Sequence, residues 1–146
     1  MKIRKAQQPD WIDIALLVQE ASAELKSRYG NPNATPIVSG LIAYGISRNE
    51  PVFVLVDNRD VLQGFCAWVH TDESEDGECV GAGTFVRPAF RKSEWSGKLR
   101  ESVTRDAKSR GYEFVTGTIY GDNAGAKRSC EKLGFEQVGI VVRLDF

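Results

Sequence analysis

A chain of 146 residues and 16.2 kDa has room for one ordinary domain and not for two. Its 42% hydrophobic and 27% charged residues are a globular composition, which excludes a disordered tail, a collagen-like fibre or a repeat array. The formal charge is −1, so there is no global electrostatic reason to expect nucleic acid or an anionic membrane as partner. Three widely spaced cysteines (Cys66, Cys79, Cys130) make a poor disulfide framework. One histidine (His70) and no CxxC give no zinc site, and no metal is expected. The opening MKIRKAQQPDW has no apolar stretch of a secretory signal. The longest apolar runs are about half a dozen residues, far below the ~20 needed to span a bilayer. A reducing, cytoplasmic compartment is the default expectation.

In chain order, residues 1–6 predict a short strand. Pro9 sits at a helix start, where its missing N–H costs nothing. Ile14, Leu17, Val18, Ala21 and Leu25 then share one helical face. Tyr29-Gly30-Asn31-Pro32 breaks that helix. A second helix is predicted over 36–48, with Ile37, Leu41, Tyr44 and Ile46 as its buried positions. PVFVLV (51–56) and VLQGFCAWVH (61–70), split by Asp57-Asn58-Arg59-Asp60, predict an antiparallel hairpin. After an acidic loop, ECVGAGTFV (78–86) predicts a third strand of the meander. Gly81-Ala82-Gly83 within it is not a dinucleotide loop, because the third glycine is missing and no helix follows. A helix over 95–110 buries Leu99, Val103 and Ala107, and Gly111 ends it. A strand over 112–119, a short helix capped by Asp122 or Asn123 and ended by Gly134, and a last strand over 136–145 complete the chain. The order β-α-α-β-β-β-α-β-α-β implies a mixed sheet with helices on both faces. The strands flanking the Trp95 helix are expected to be parallel neighbours, because a helix must carry the chain back across the sheet.

Charge is unevenly placed. From Asp57 to Glu78 one cation, Arg59, stands against seven carboxylates. From Arg87 to Arg110 eight cations stand against three carboxylates. The basic stretch includes VRPAFRKSEWSGKL (86–99), where a strand hands over to a helix through a basic loop. The first N–H groups of a helix lack internal partners and carry partial positive charge, so such a joint suits a phosphorylated ligand.

VRPAFRKSEWSGKL resembles the acyl-CoA-binding segment of the GNAT superfamily of N-acetyltransferases, in which an apolar strand, x-Pro, an aromatic-Arg pair and Gln/Arg-x-x-Gly-x-Gly/Ala precede a helix. NAGAKRSCEKLGF (123–135) resembles that family's N-x-x-A-x-x-x-(Y)-E-K-x-G-F helix. With the order of elements, the resemblance covers nearly the whole chain, as one acyl-CoA N-acyltransferase-like domain over 1–146. It implies an α/β (α+β) fold with a mixed, mostly antiparallel sheet, a central splayed parallel pair, and helices on both faces. It also implies acetyl transfer from acetyl-CoA, as co-substrate, to a primary amine of a small molecule or peptide, by direct attack in a ternary complex. The backbone around Phe85 and Val86 would open a slot whose N–H groups hold the acyl carbonyl and the pantetheine arm. Such donors stabilise an oxyanion. The backbone of Arg91, Lys92, Ser93, Glu94, Trp95, Ser96 and Gly97 would cradle the pyrophosphate, with Arg91 and Lys92 adding charge. Asn123 would cap its helix and hydrogen-bond the coenzyme arm.

Three positions depart from the family pattern. Glu94 stands where the family has Gly, which permits positive φ and close approach. A carboxylate ~6 Å from a phosphate charge would cost roughly 3 kcal/mol at an effective dielectric near 20. Cys130 stands where many members have the Tyr that protonates the departing thiolate. A thiol can donate that proton, and Tyr120 is a second candidate. The family's base falls near Ala82-Gly83, so Glu78, or His70 less directly, is left to take the amine's proton through water. The alternative function is a GNAT-fold binding or interaction module that has lost efficient acetyl-CoA use. The loop over 29–35 and the segment over 136–146 are candidate specificity or pairing regions, the latter an exposed edge open to a homodimer contact.

Overall fold

The computed structural model describes residues 1–29, 35–119, 123–140, 142, 144 and 146. Five strands, β1 (Lys2–Lys5), β2 (Val52–Val56), β3 (Leu62–Val69), β4 (Glu78–Val86) and β5 (Phe114–Thr116), form one sheet in the order β1-β2-β3-β4-β5. All neighbours are antiparallel except β4 and β5, which run parallel as the crossover requires. The helices are α1 (Trp11–Tyr29), α2 (Thr35–Ser47), α3 (Trp95–Ser109) and α4 (Ala124–Lys132).

Alternation along the strands sends side chains to two cores. On one face Val54, Phe65, Val69 and Phe85 meet Ile14, Leu17 and Val18 of α1 and Ile42 of α2. On the other, Leu55, Cys66, Trp68, Cys79 and Val86 meet Leu99, Val103 and Ala107 of α3, the stripe expected from its four-residue spacing. Pro9 lies in a 3-10 turn that leads into α1. Asp10, only 8% exposed, accepts the Gln7 N–H at 2.7 Å and takes both Arg4 guanidinium nitrogens, at 2.7 and 3.0 Å. That pair ties β1 to the start of α1 and holds the Asp10 carboxyl below its usual range, chiefly through the Arg4 hydrogen bond.

Two expectations are corrected. Among the described side chains of α2, Ile42 is fully buried and Leu41 and Ile46 pack half-buried against the same core as expected, while Tyr44 faces outward and accepts a hydrogen bond from Arg48 at 2.8 Å. Gly45 seats the helix against Val69 of β3, which turns Ile42 inward and Tyr44 out. The side chain of Ile37 lies outside the described ones. No strand forms among the described residues after Phe135. Val138, Ile140, Val142, Leu144 and Phe146 are instead all at least 77% exposed. Their period-two pattern suits a strand, but no described neighbour supplies a ladder for it, and a strand without one is not stable. The expected strand over 112–119 likewise pairs only over Phe114–Thr116. Residues 30–34, within the proposed specificity loop, lie outside the described residues.

Candidate active site

The site begins where the sheet opens. β5 pairs with β4 only through Glu78–Phe114, Cys79–Val115 and Val80–Thr116. Beyond that point β4 continues for six residues, Gly81–Val86, and among the described residues only β3 pairs with it there. A bulge marks the change: Trp68 faces Gly81 and Ala67 faces Gly83, so Ala82 is the extra residue. Gly83 takes φ +132°, and a Cβ there would crowd the Phe65 ring at 3.3 Å. A bulge bends and twists the strand that carries it, which turns the second half of β4 away from β5.

The ladder fixes which amides face the opening. Arg87 N–H bonds the Gln63 carbonyl at 2.9 Å. Hydrogen-bonded pairs alternate in an antiparallel ladder, so Phe85 bonds back to Phe65 of β3, and the N–H groups of Thr84 and Val86 point outward. The outward Val86 carbonyl agrees, since it accepts Arg91 Nε at 2.6 Å. The outward amides around Phe85 and Val86 are thus those of Thr84 and Val86, while the Phe85 amide faces β3 and its ring packs into the α1–α2 core.

After β4 a 3-10 turn, Pro88–Phe90, leads into a loop and then α3. Arg91 N–H is engaged by the Pro88 carbonyl at 3.2 Å, and Trp95 N–H reaches Ser93 Oγ at 3.5 Å. The N–H groups of Lys92, Ser93, Glu94, Ser96 and Gly97 have no hydrogen-bond partner among the described residues. These five, rather than all seven, are the available donors. Lys92 takes φ +57°, whereas Glu94 is ordinary helical backbone at φ −66°. The position that matches the family's Gly therefore needs no left-handed conformation here. Glu94 pairs with Lys98 at 2.9 Å, and the Lys98 ammonium lies 4.9 Å from the centre of the half-buried Trp95 ring.

Arg91 is the largest departure from expectation. Both terminal nitrogens bind Glu24 of α1 at 2.6 Å, Nε is on Val86, and the guanidinium lies 5.2 Å from the centre of the Phe85 ring. Arg87 is held in the same way by Glu20, at 3.0 and 2.8 Å. The Arg87 hydrogen bond holds the Glu20 carboxyl below its usual range. Sequence reading missed Glu20 and Glu24, although the signal exists: two acids four apart on a helix match two arginines four apart in the loop.

Glu78 opens β4. Its carboxylate accepts Thr116 Oγ1 at 2.8 Å and Glu75 N–H at 3.1 Å, so both oxygens are oriented. Strand alternation opposite Cys79 puts it on the α1–α2 face of the sheet. His70 follows Val69 of that core and so lies on the other face, where it stacks on Tyr112 and its Nδ1 is 2.7 Å from the Glu78 carbonyl oxygen. A carbonyl only accepts, so Nδ1 carries the proton. Cys130 is half-buried on α4. Cys66 Sγ is 3.1 Å from Thr84 Oγ1 on the second half of β4. Asn123 caps α4 by accepting Ala126 N–H at 3.1 Å, as the sequence predicts. Tyr120 lies outside the described residues.

No protein-family profile matches the chain, and no curated protein matches it in sequence. Solved structures match in shape. A ribosomal-protein-alanine N-acetyltransferase from Brucella melitensis has a TM-score of 0.75 at 15% identity, over 95% of this chain and 86% of that one. An N-acetyltransferase from Staphylococcus aureus has a TM-score of 0.75 at 19% identity, over 94% and 84%. A GNAT superfamily phosphinothricin acetyltransferase from Sinorhizobium meliloti, in complex with acetyl-CoA, has a TM-score of 0.75 at 16% identity, over 94% and 76%. The fold is the GNAT fold. The expected mixed sheet with one parallel pair and helices on both faces is present. Within this GNAT fold, the described residues nominated from sequence fall in three places. Phe85, Val86, Arg91, Lys92, Ser93, Glu94, Trp95, Ser96 and Gly97 lie on the second half of β4, the loop after it and the start of α3. Glu78 stands at the other end of β4, and Asn123 and Cys130 lie on α4 and its cap.

Proposed function

We propose that the protein transfers an acetyl group from acetyl-CoA to a primary amine, on a small molecule or a peptide, by direct attack in a ternary complex. The observation that carries this is the end of the β4–β5 ladder at Val80–Thr116, which leaves outward amides on β4 and, past its end, unpartnered amides before and within the first turn of α3. The residues fit the coenzyme: an extended arm finds main-chain donors along Thr84–Val86, and a diphosphate finds five more at residues 92–97. Acetyl-CoA brings the activated acyl group. Thr84 and Val86 N–H groups orient its carbonyl and stabilise developing negative charge on that oxygen.

The acceptor enters from the α1–α2 face, where Glu78 waits. Only the neutral amine attacks, so a proton must first leave the ammonium. Glu78 precedes Thr84 by six residues, on the order of 20 Å along a strand, so a chain of waters carries that proton to its carboxylate. The exposed acids Asp72, Glu73, Glu75 and Asp76 favour a cationic acceptor nearby. Cys130 supplies the proton that the leaving thiolate takes. A second reading, a binding module without efficient turnover, is favoured by the absence of any carboxylate on Gly81–Val86. Calorimetric titration with acetyl-CoA separates the two. Micromolar binding is expected, and no binding at millimolar coenzyme would favour the module.

A further inference from the structure

We propose that Glu24, supported by Glu20, is a positioning residue for the coenzyme's phosphate end, and that Arg91 acts as its strut and not as a phosphate ligand; this rests on the acetyl-CoA reading above. The phosphate donors at residues 92–97 are main-chain N–H groups, so their aim depends on the loop that carries them. That loop has little core of its own: Pro88, Ala89, Lys92, Ser93 and Glu94 are exposed. What holds it is a pair of forks from α1. Glu24 takes both terminal nitrogens of Arg91, and Glu20 takes two nitrogens of Arg87. The third nitrogen of Arg91 closes onto the Val86 carbonyl, and the third of Arg87 onto the Leu62 carbonyl and Gln63 Oε1.

Isolated surface pairs contribute little, but paired forks of bidentate geometry are the exception. The Glu24–Arg91 pair is about three-quarters buried on each side, with 26% and 28% side-chain exposure. Three of the five N–H donors of the Arg91 guanidinium are committed within the protein, and its charge is met by Glu24, so a phosphate that recruited it would compete with that carboxylate. The strut also joins the two parts of the slot. One side chain bonds the end of β4 and braces the turn into α3, so the acyl end and the phosphate end keep a fixed separation.

The test compares the full chain with its Glu24→Gln, Arg91→Gln and doubly substituted forms, titrated with acetyl-CoA and with S-acetylpantetheine, which lacks the diphosphate. Each single change is expected to weaken acetyl-CoA about tenfold while leaving S-acetylpantetheine nearly unchanged, and the double form to be no weaker than either single. Tighter acetyl-CoA binding by Glu24→Gln would overturn the proposal, because it would mean that a released Arg91 reaches the phosphate. Amide hydrogen exchange without ligand supplies an independent readout. Residues 92–97 should exchange faster in Glu24→Gln while α3 beyond Leu99 and the melting temperature stay unchanged, and equal exchange in that loop would also overturn it. Failure of the unsubstituted chain to bind acetyl-CoA would sink the acetyltransferase reading alone; the strut would then stand or fall on the exchange rates.

Discussion

Over Glu78–Val80, β4 has a strand on each side; over Gly81–Val86 it has β3 on one side and, among the described residues, no paired strand on the other. The first half anchors a side chain, Glu78, whose two oxygens are held by Thr116 and by the loop. The second half offers main chain instead, the outward amides of Thr84 and Val86. One bulge at Ala82 separates the two. The comparison teaches that a strand can be structural and chemical at once, provided the core covers both faces while one edge stays open. Here α1 and α2 seal one face over Phe85 and α3 seals the other over Val86. None of these three helices saturates that edge among the described residues, so the donors persist without exposing apolar surface.

The largest test of that division is a pair of proline substitutions. Val86→Pro removes an outward N–H that no ladder uses, so the fold should survive while kcat falls about 10²–10³-fold, the loss typical of one oxyanion donor. Phe85→Pro removes an N–H committed to β3 and should unfold the domain. Circular dichroism with steady-state kinetics reads both. Equal damage from the two would break the assignment of outward and inward amides.

A thiol experiment sharpens the same comparison. Burial pushes the Cys66 thiol up to about 11, against smaller downward pulls from Thr84 and Arg100. Burial, reinforced by Glu50, pushes the Cys79 thiol up to about 12. Thiolate is the reactive form, so both should stay protonated and inert well above neutral pH. Iodoacetamide at pH 8 should therefore label the half-buried Cys130 first, with Cys66 and Cys79 at least about a hundredfold slower until the chain unfolds. Peptide mapping by mass spectrometry reads the order. Slower labelling of Cys130 with acetyl-CoA present would place it beside the slot, and unchanged labelling would remove it from the reaction.

The sheet was legible because its strands are short apolar runs bounded by turn residues, and α3 because Leu99, Val103 and Ala107 repeat every four. In α2, Leu41 and Ile46 were legible, but Ile42 was missed and Tyr44 misplaced, because the close Gly45–β3 contact decides which side of the helix is buried deepest. The segment after Phe135 has a strand's alternation, yet alternation names a face and cannot supply a neighbouring strand. At the candidate site, the joint of strand, basic loop and helix could be read from sequence. The fate of Arg91 could not, because its partner lies 67 residues away on α1, and sequence charge counts every arginine as available.

The smallest expected effect concerns Glu94. From sequence it threatened a hundredfold loss, through strained backbone and a carboxylate facing the diphosphate. Its φ of −66° removes the first cost, because glycine is needed only where φ is positive, and in this loop that position is Lys92. The second cost shrinks for two reasons. The side chain is 63% exposed, and its charge is paired with Lys98 one turn down α3. With water as the medium, a charge ~6 Å from a phosphate costs about 0.7 kcal/mol, or roughly threefold in affinity. Glu94→Gly should therefore tighten acetyl-CoA by about threefold at low salt and by less as salt screens the charge. Calorimetry across a salt series measures both. A gain near a hundredfold would mean that the carboxylate turns into the cradle, and the open half of β4 would then lead to a phosphate site that is blocked until Glu94 moves.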